Sequence, residues 1–181
     1  MTRSLPSGAP FGGSVKAALA HQLASAFDGR RDMSLMPAIE GVTDDQAAWC
    51  PAPETPTIDQ IARHIAWSKN RFCQQAFGAA MVLEDPAVND DGDAEGVPWE
   101  FPCGCAWGVK LRPGIAGAID LVRESHGVMA DGLDGLDEAS LGEPLAVRHG
   151  DTAFNFFWTM ILHDLFHAGQ IRTRRTAASA G

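Results

Sequence analysis

Four stretches of this chain carry apolar residues at three- and four-residue intervals, the spacing that lines one face of an α-helix. No stretch shows the two-residue alternation of a half-buried strand. Val15, Leu19, Leu23 and Phe27 form the first row, with Ser14 placed to cap it and Asp28-Gly29 to end it. A connector over residues 30–56 follows, with a short helix expected around Ser34 to Glu40; Pro51, Pro53 and Pro56 exclude a long helix directly after it. Thr57-Ile58-Asp59-Gln60 has the form of a capping box, in which the Thr57 hydroxyl accepts from a backbone amide and Gln60 reaches back. Ile58, Ile61, Ile65 and Phe72 then give a core-facing row that runs to about Gly78. Pro113 suits the first turn of a third helix, whose Ile115, Ile119, Val122, Val128 and Met129 lead to an end near Gly132. The fourth helix, about 152–175 with Asp151 as its cap, is the most apolar. Phe154, Phe157, Ile161 and Leu165 make one row, and Phe156, Met160, His163, His167 and Ile171 the next.

Helices that each bury one face predict an all-α protein, an antiparallel four-helix bundle. At 181 residues the chain suits one domain with a substantial core, expected over residues 14–175. Residues 1–13, rich in Pro, Gly and Ser, read as a flexible N-terminal segment, and 176–181 as a flexible C-terminal tail. Residues 84–110 form a long inter-helix loop, of a length that compact domains keep for a purpose, and could cover one end of the bundle.

Charge narrows the partners. A formal net charge of −9 disfavours nucleic acid, whose phosphates need clustered Lys and Arg. The one basic cluster, Arg172, Arg174 and Arg175, closes the last helix, where cations complement the negative end of its dipole. The longest strongly apolar stretch, Phe156 to Leu162, is far short of the ~20 residues of a membrane span. The first residues hold no apolar signal core, so a cytoplasmic location without membrane attachment is expected. Cys50, Cys73, Cys103 and Cys105 read as free thiols, since Cys103-Gly104-Cys105 lacks the second half of a zinc knuckle.

The candidate chemistry lies in the histidines. His163 and His167, four residues apart, stack on one helix face roughly 6 Å apart along the axis and can converge on one cation. His64, on the inner edge of the second helix, becomes a third donor if the two helices are neighbours. Three neutral imidazoles leave zinc one ligand short of its usual four, with a place for water or a substrate atom. The ion would then supply either a water nucleophile or a stabilised thiolate. Zinc and nickel both suit imidazole. A His-Glu-x-x-His metalloprotease motif is excluded, because the shorter Asp164 stands at the glutamate position. Di-iron bundles need Glu-x-x-His on two helices, which neither helix offers. Asp164 is expected at the surface or behind a ligand, and Gln170, one turn beyond His167, could orient a bound water. His21, His126 and His149 read as hydrogen-bonded structural residues. Trp67, Trp107 and Phe156 could line a pocket, although aromatic residues at such positions usually belong to the core.

Thr57-Ile58-Asp59-Gln60-Ile61-Ala62-Arg63-His64-Ile65-Ala66-Trp67 resembles the helix-two histidine region of the DinB superfamily, the DinB/YfiT-like metalloenzymes. His163-Asp164-Leu165-Phe166-His167-Ala168-Gly169-Gln170-Ile171 resembles that family's H-x-x-x-H-x-G-Q-I signature, and Gly41-Val42-Thr43-Asp44-Asp45-Gln46-Ala47 is similar to its approach to helix two. The resemblance covers residues 14–175, with 84–110 least alike. It implies a four-helix bundle, commonly a homodimer, with one divalent metal held by His64, His163 and His167. Characterised relatives imply an enzyme acting on a small-molecule substrate, a transferase or isomerase that activates a low-molecular-weight thiol. A metal-dependent hydrolase and a non-catalytic, metal-binding, stress-associated dimer are the alternatives. No catalytic residue beyond the ligands can be named.

Overall fold

The computed structural model describes residues 13–29, 33–52, 55–80, 82, 112–145 and 152–179. Every regular element among them is helical: α1 (Val15–Asp28), α2 (Leu35–Ile39), α3 (Asp44–Ala48), α4 (Ile58–Phe77), α5 (Gly114–Asp134), a 3-10 turn (Ala139–Gly142) and α6 (Ala153–Ala178). No helix among the described residues is long and apolar enough to cross a membrane. The inter-helix loop at 84–110, with Cys103, Cys105 and Trp107, lies outside the described residues, as does His149.

Local chemistry sets most of the helix ends. Ser14 accepts from the Ala17 amide to open α1. At α4 both halves of the Thr57–Gln60 capping box form, and Gly78 closes the helix in the left-handed conformation at φ 66°, which costs glycine nothing. Two ends differ from expectation. The cap of α6 is Thr152, accepting from the Asn155 amide, and not Asp151, which lies outside the described residues. Pro113 occupies the cap position of α5 without a capping side chain, and Asp44 of α3 serves instead by accepting from the Ile115 amide. α3 itself was not anticipated within the 30–56 connector, although its Thr43–Gln46 capping box is complete.

The helices do not alternate in direction. Arg63 of α4 donates to the carbonyls of Arg112 and Gly114 at the start of α5, Lys69 meets His126 midway, and Phe77 packs on Gly132 near its end. α4 and α5 therefore run parallel. α4 and α6 run antiparallel, with His64 beside His163 and His167, Lys69 beside Asp164, and Phe77 against Phe156 and Phe157. A parallel pair needs a connection long enough to return along the helix, and residues 78–113 supply one. The expected antiparallel pairing thus holds for α4 with α6 and fails for α4 with α5.

One core cluster joins α2, α4, α5 and the end of α6, through Ile39, Ile61, Ile65, Leu121 and Ile171. The other joins α1, the second half of α5 and the first half of α6, through Leu23, Met129, Phe157 and Met160. Trp67 and Phe156 belong to these clusters as buried core residues. The arginines closing α6 serve more than its dipole. Arg172 donates to the Ser34 carbonyl, and Arg175 to the carbonyls of Ala38 and Glu40, so both tie α2 onto α6.

Candidate metal centre

His64 comes from the middle of α4, and His163 and His167 from one face of α6. Each lies on the inner side for a local reason. His64 sits between the buried Ile61 and Ile65, and His167 continues the buried row of Met160, Asp164 and Ile171. Arg63, 1% exposed, holds Asp59 and the carbonyls of Arg112 and Gly114, and so fixes the turn of α4 that presents His64.

The three imidazoles meet through their Nε2 atoms. His163 Nε2 lies 3.3 Å from His64 Nε2 and 3.1 Å from His167 Nε2. Donor atoms of all three lie within 4.8 Å of one another. Two nitrogens on a tetrahedral zinc, each bound at about 2.05 Å, are separated by about 3.3 Å. The observed spacings match that figure. Imidazoles packed this closely would, with their Nε2 lone pairs free, direct them towards a common point where a cation relieves the crowding. The group can hold a metal ion.

Protonation and tautomer agree with that use. Burial holds the His64 imidazole below its ordinary pKa. His167 is pushed down to about 4, by burial first and by His64 second, against the opposing effect of a hydrogen bond it donates to Gln170. Gln170 Oε1 lies 2.7 Å from His167 Nδ1. An amide oxygen only accepts, so Nδ1 carries the proton and Nε2 keeps its lone pair for an ion. Such partners set the orientation and basicity of a ligating ring.

Asp164 is neither at the surface nor behind a histidine ligand. Its side chain is fully buried, and its Oδ2 accepts from the Lys69 ammonium at 2.6 Å, with both side chains 0% exposed. Burial pushes its carboxyl pKa up, and Lys69 opposes that shift. The same ammonium lies 3.2 Å from His126 Nδ1 and 4.9 Å from the Phe27 ring centroid. Phe27 in turn stacks on His126 at 3.6 Å. The pKa of His126 is pushed down to about 3, by burial and then by Lys69, so the neutral ring accepts the ammonium's hydrogen bond. His126 is the hydrogen-bonded structural residue its isolation in the sequence suggested. Lys69 was missed, because a lysine in a helix ordinarily reaches solvent.

A model of the DinB superfamily matches residues 26–171. The chain belongs to the DinB superfamily. No curated protein matches it, and no solved structure does. Membership in the DinB superfamily accords with the helical bundle and with a histidine group able to take a metal. Among members with one bundle, the reaction is decided by the side chains around the site and not by the fold.

Proposed function

We propose that this DinB-superfamily protein is a metal-dependent enzyme that activates a low-molecular-weight thiol for transfer or isomerisation, with zinc or nickel bound by His64, His163 and His167. The convergence of three Nε2 atoms at ion-sharing distances is the observation that carries the metal. A bound divalent ion with one open position supplies Lewis acidity that favours thiolate over thiol. The chain's own residues keep the donors ready. Gln170 holds the His167 proton on Nδ1, and Arg63 and the Lys69–Asp164 pair fix α4 against its neighbours. Hydrolysis is less well served, because it needs a general base. Asp164, the carboxylate next to His163 in sequence, is committed to Lys69.

Zinc- or nickel-loaded protein should consume glutathione, cysteine, coenzyme A or another cellular thiol in the presence of an electrophilic acceptor. Chelation should abolish that turnover. Failure of metal-loaded protein with every such thiol contradicts the thiol reading while leaving the metal site standing.

A homodimer is part of the same proposal. Phe154, Trp158, Leu162 and Phe166 recur every fourth residue along α6 and remain 37%, 45%, 49% and 62% exposed. A continuous apolar ridge of this kind is the usual mark of a contact surface. Sedimentation equilibrium reads the association directly, and a monomer at every concentration would exclude it.

A further inference from the structure

A groove of about 570 Å³ runs along α6 from Gln170 towards the helix C-terminus. Trp49 forms part of one wall, and Phe166, Gly169, Gln170, Thr173 and Arg174 belong to the other. The histidines do not line it. It adjoins their cluster through Gln170, which both lines the groove and bonds His167, and through Phe166, whose ring stands 5.1 Å from that of His167.

Three features suit the groove to an anion with an apolar body. Arg174 lines it, and the Arg174 Nε is buried without a hydrogen-bond partner among the described residues. The neighbouring Arg172 and Arg175 are both bound to carbonyls at α2, and of the three only Arg174 lines the groove. Helical side chains lean towards the N-terminus, and Gln170 lies about one turn from Arg174 in that direction. Gly169 leaves the floor open, since a Cβ there would meet nothing within 4 Å. The walls are otherwise largely apolar.

We infer that this groove binds a small organic acid, an apolar body bearing one carboxylate, with Arg174 as its anchor. A planar guanidinium matches a carboxylate in a paired arrangement. One cation on a protein of net charge −9 balances a single negative charge better than a phosphate dianion. His167 and Arg174 are seven residues apart, about 10 Å along the helix axis, a span that one acid of moderate length can bridge. The far end of the molecule would then meet the histidine cluster. Only that last statement rests on the metal reading; anion binding does not.

The probes are 3-phenylpropionate, hexanoate and their uncharged amides, titrated while backbone signals of Gly169 and Thr173 and the Trp49 indole are followed by NMR. Both acids should shift these signals and bind at least about 10-fold more tightly than their amides, the scale of a lost charge-assisted hydrogen bond. Arg174→Gln should erase that difference. Gly169→Leu, which fills the floor, should remove binding of acids and amides alike. Binding should survive in metal-stripped protein and in His64→Ala, so failure of the metal site and failure of the groove are read separately. Equal binding of acid and amide by the wild-type protein overturns the inference without recourse to a variant. So do an Arg174→Gln protein that keeps the preference, and a groove closed to every probe by a second copy of the chain.

Discussion

Lys69 is an ammonium with no exposure, held by a carboxylate at 2.6 Å, an imidazole nitrogen at 3.2 Å and an aromatic face. Burial first, and then the Lys69 charge, push the pKa of His126 down to about 3. Unfolded, that histidine titrates near 6.5. Between the two values the unfolded chain binds more protons, so acid favours unfolding there, and His126 adds no pH dependence above the higher value. Stability should therefore fall as pH drops from about 6.5 towards 3. Replacing His126 by Phe should flatten part of that slope in denaturant titrations at stepped pH. An unchanged slope, or a His126 ring that titrates near 6.5 by NMR, would show that the ring is not held neutral. At this scale the candidate ligands were legible. The i, i+4 spacing of His163 and His167 on an apolar row puts two donors together before any tertiary contact is known. The partners of Lys69 and the place of Arg174 beside a groove were not legible, because long cationic side chains reveal their surroundings only when the helices are assembled.

Between elements, the Lys69–Asp164 pair joins the middle of α4 to α6 one residue from His163. Lys69→Met leaves a carboxylate buried without its counter-charge and should destabilise the protein by about 3–5 kcal/mol. Adding Asp164→Leu removes the orphaned charge and should recover most of the loss. A single variant within about 0.5 kcal/mol of wild type would show that the pair carries little of the packing of α4 on α6. The helices themselves followed closely from local sequence where length and caps agreed. Thr57 and Gln60 opened α4, Gly78 closed it, and Ser14 opened α1. The five-residue α3 was hidden by its brevity, since so short a stretch shows no helical period. The cap of α5 was hidden because Asp44 comes from a different element, 71 positions away.

Across the whole molecule, the family and the all-helical class were legible, and the directions of the helices were not. Apolar rows tell which face is buried but not which neighbour covers it, so the parallel run of α4 and α5 emerges only from Arg63, Lys69 and Phe77 meeting successive points along α5. The exposed ridge on α6 belongs to this scale too. Leu162→Glu places a charge in its middle and should convert a dimer to a monomer in sedimentation at micromolar concentration, with the helical content unchanged. A Leu162→Glu protein that still dimerises would move the interface elsewhere. The metal is the claim on which the rest of the function turns, and elemental analysis of untagged protein tests it most directly, with His64→Ala alongside. The geometry predicts close to one divalent metal ion per chain, lost in the variant while the fold persists. Wild-type protein that takes up no divalent ion even after refilling, or a His64→Ala protein that keeps a full complement, would contradict it.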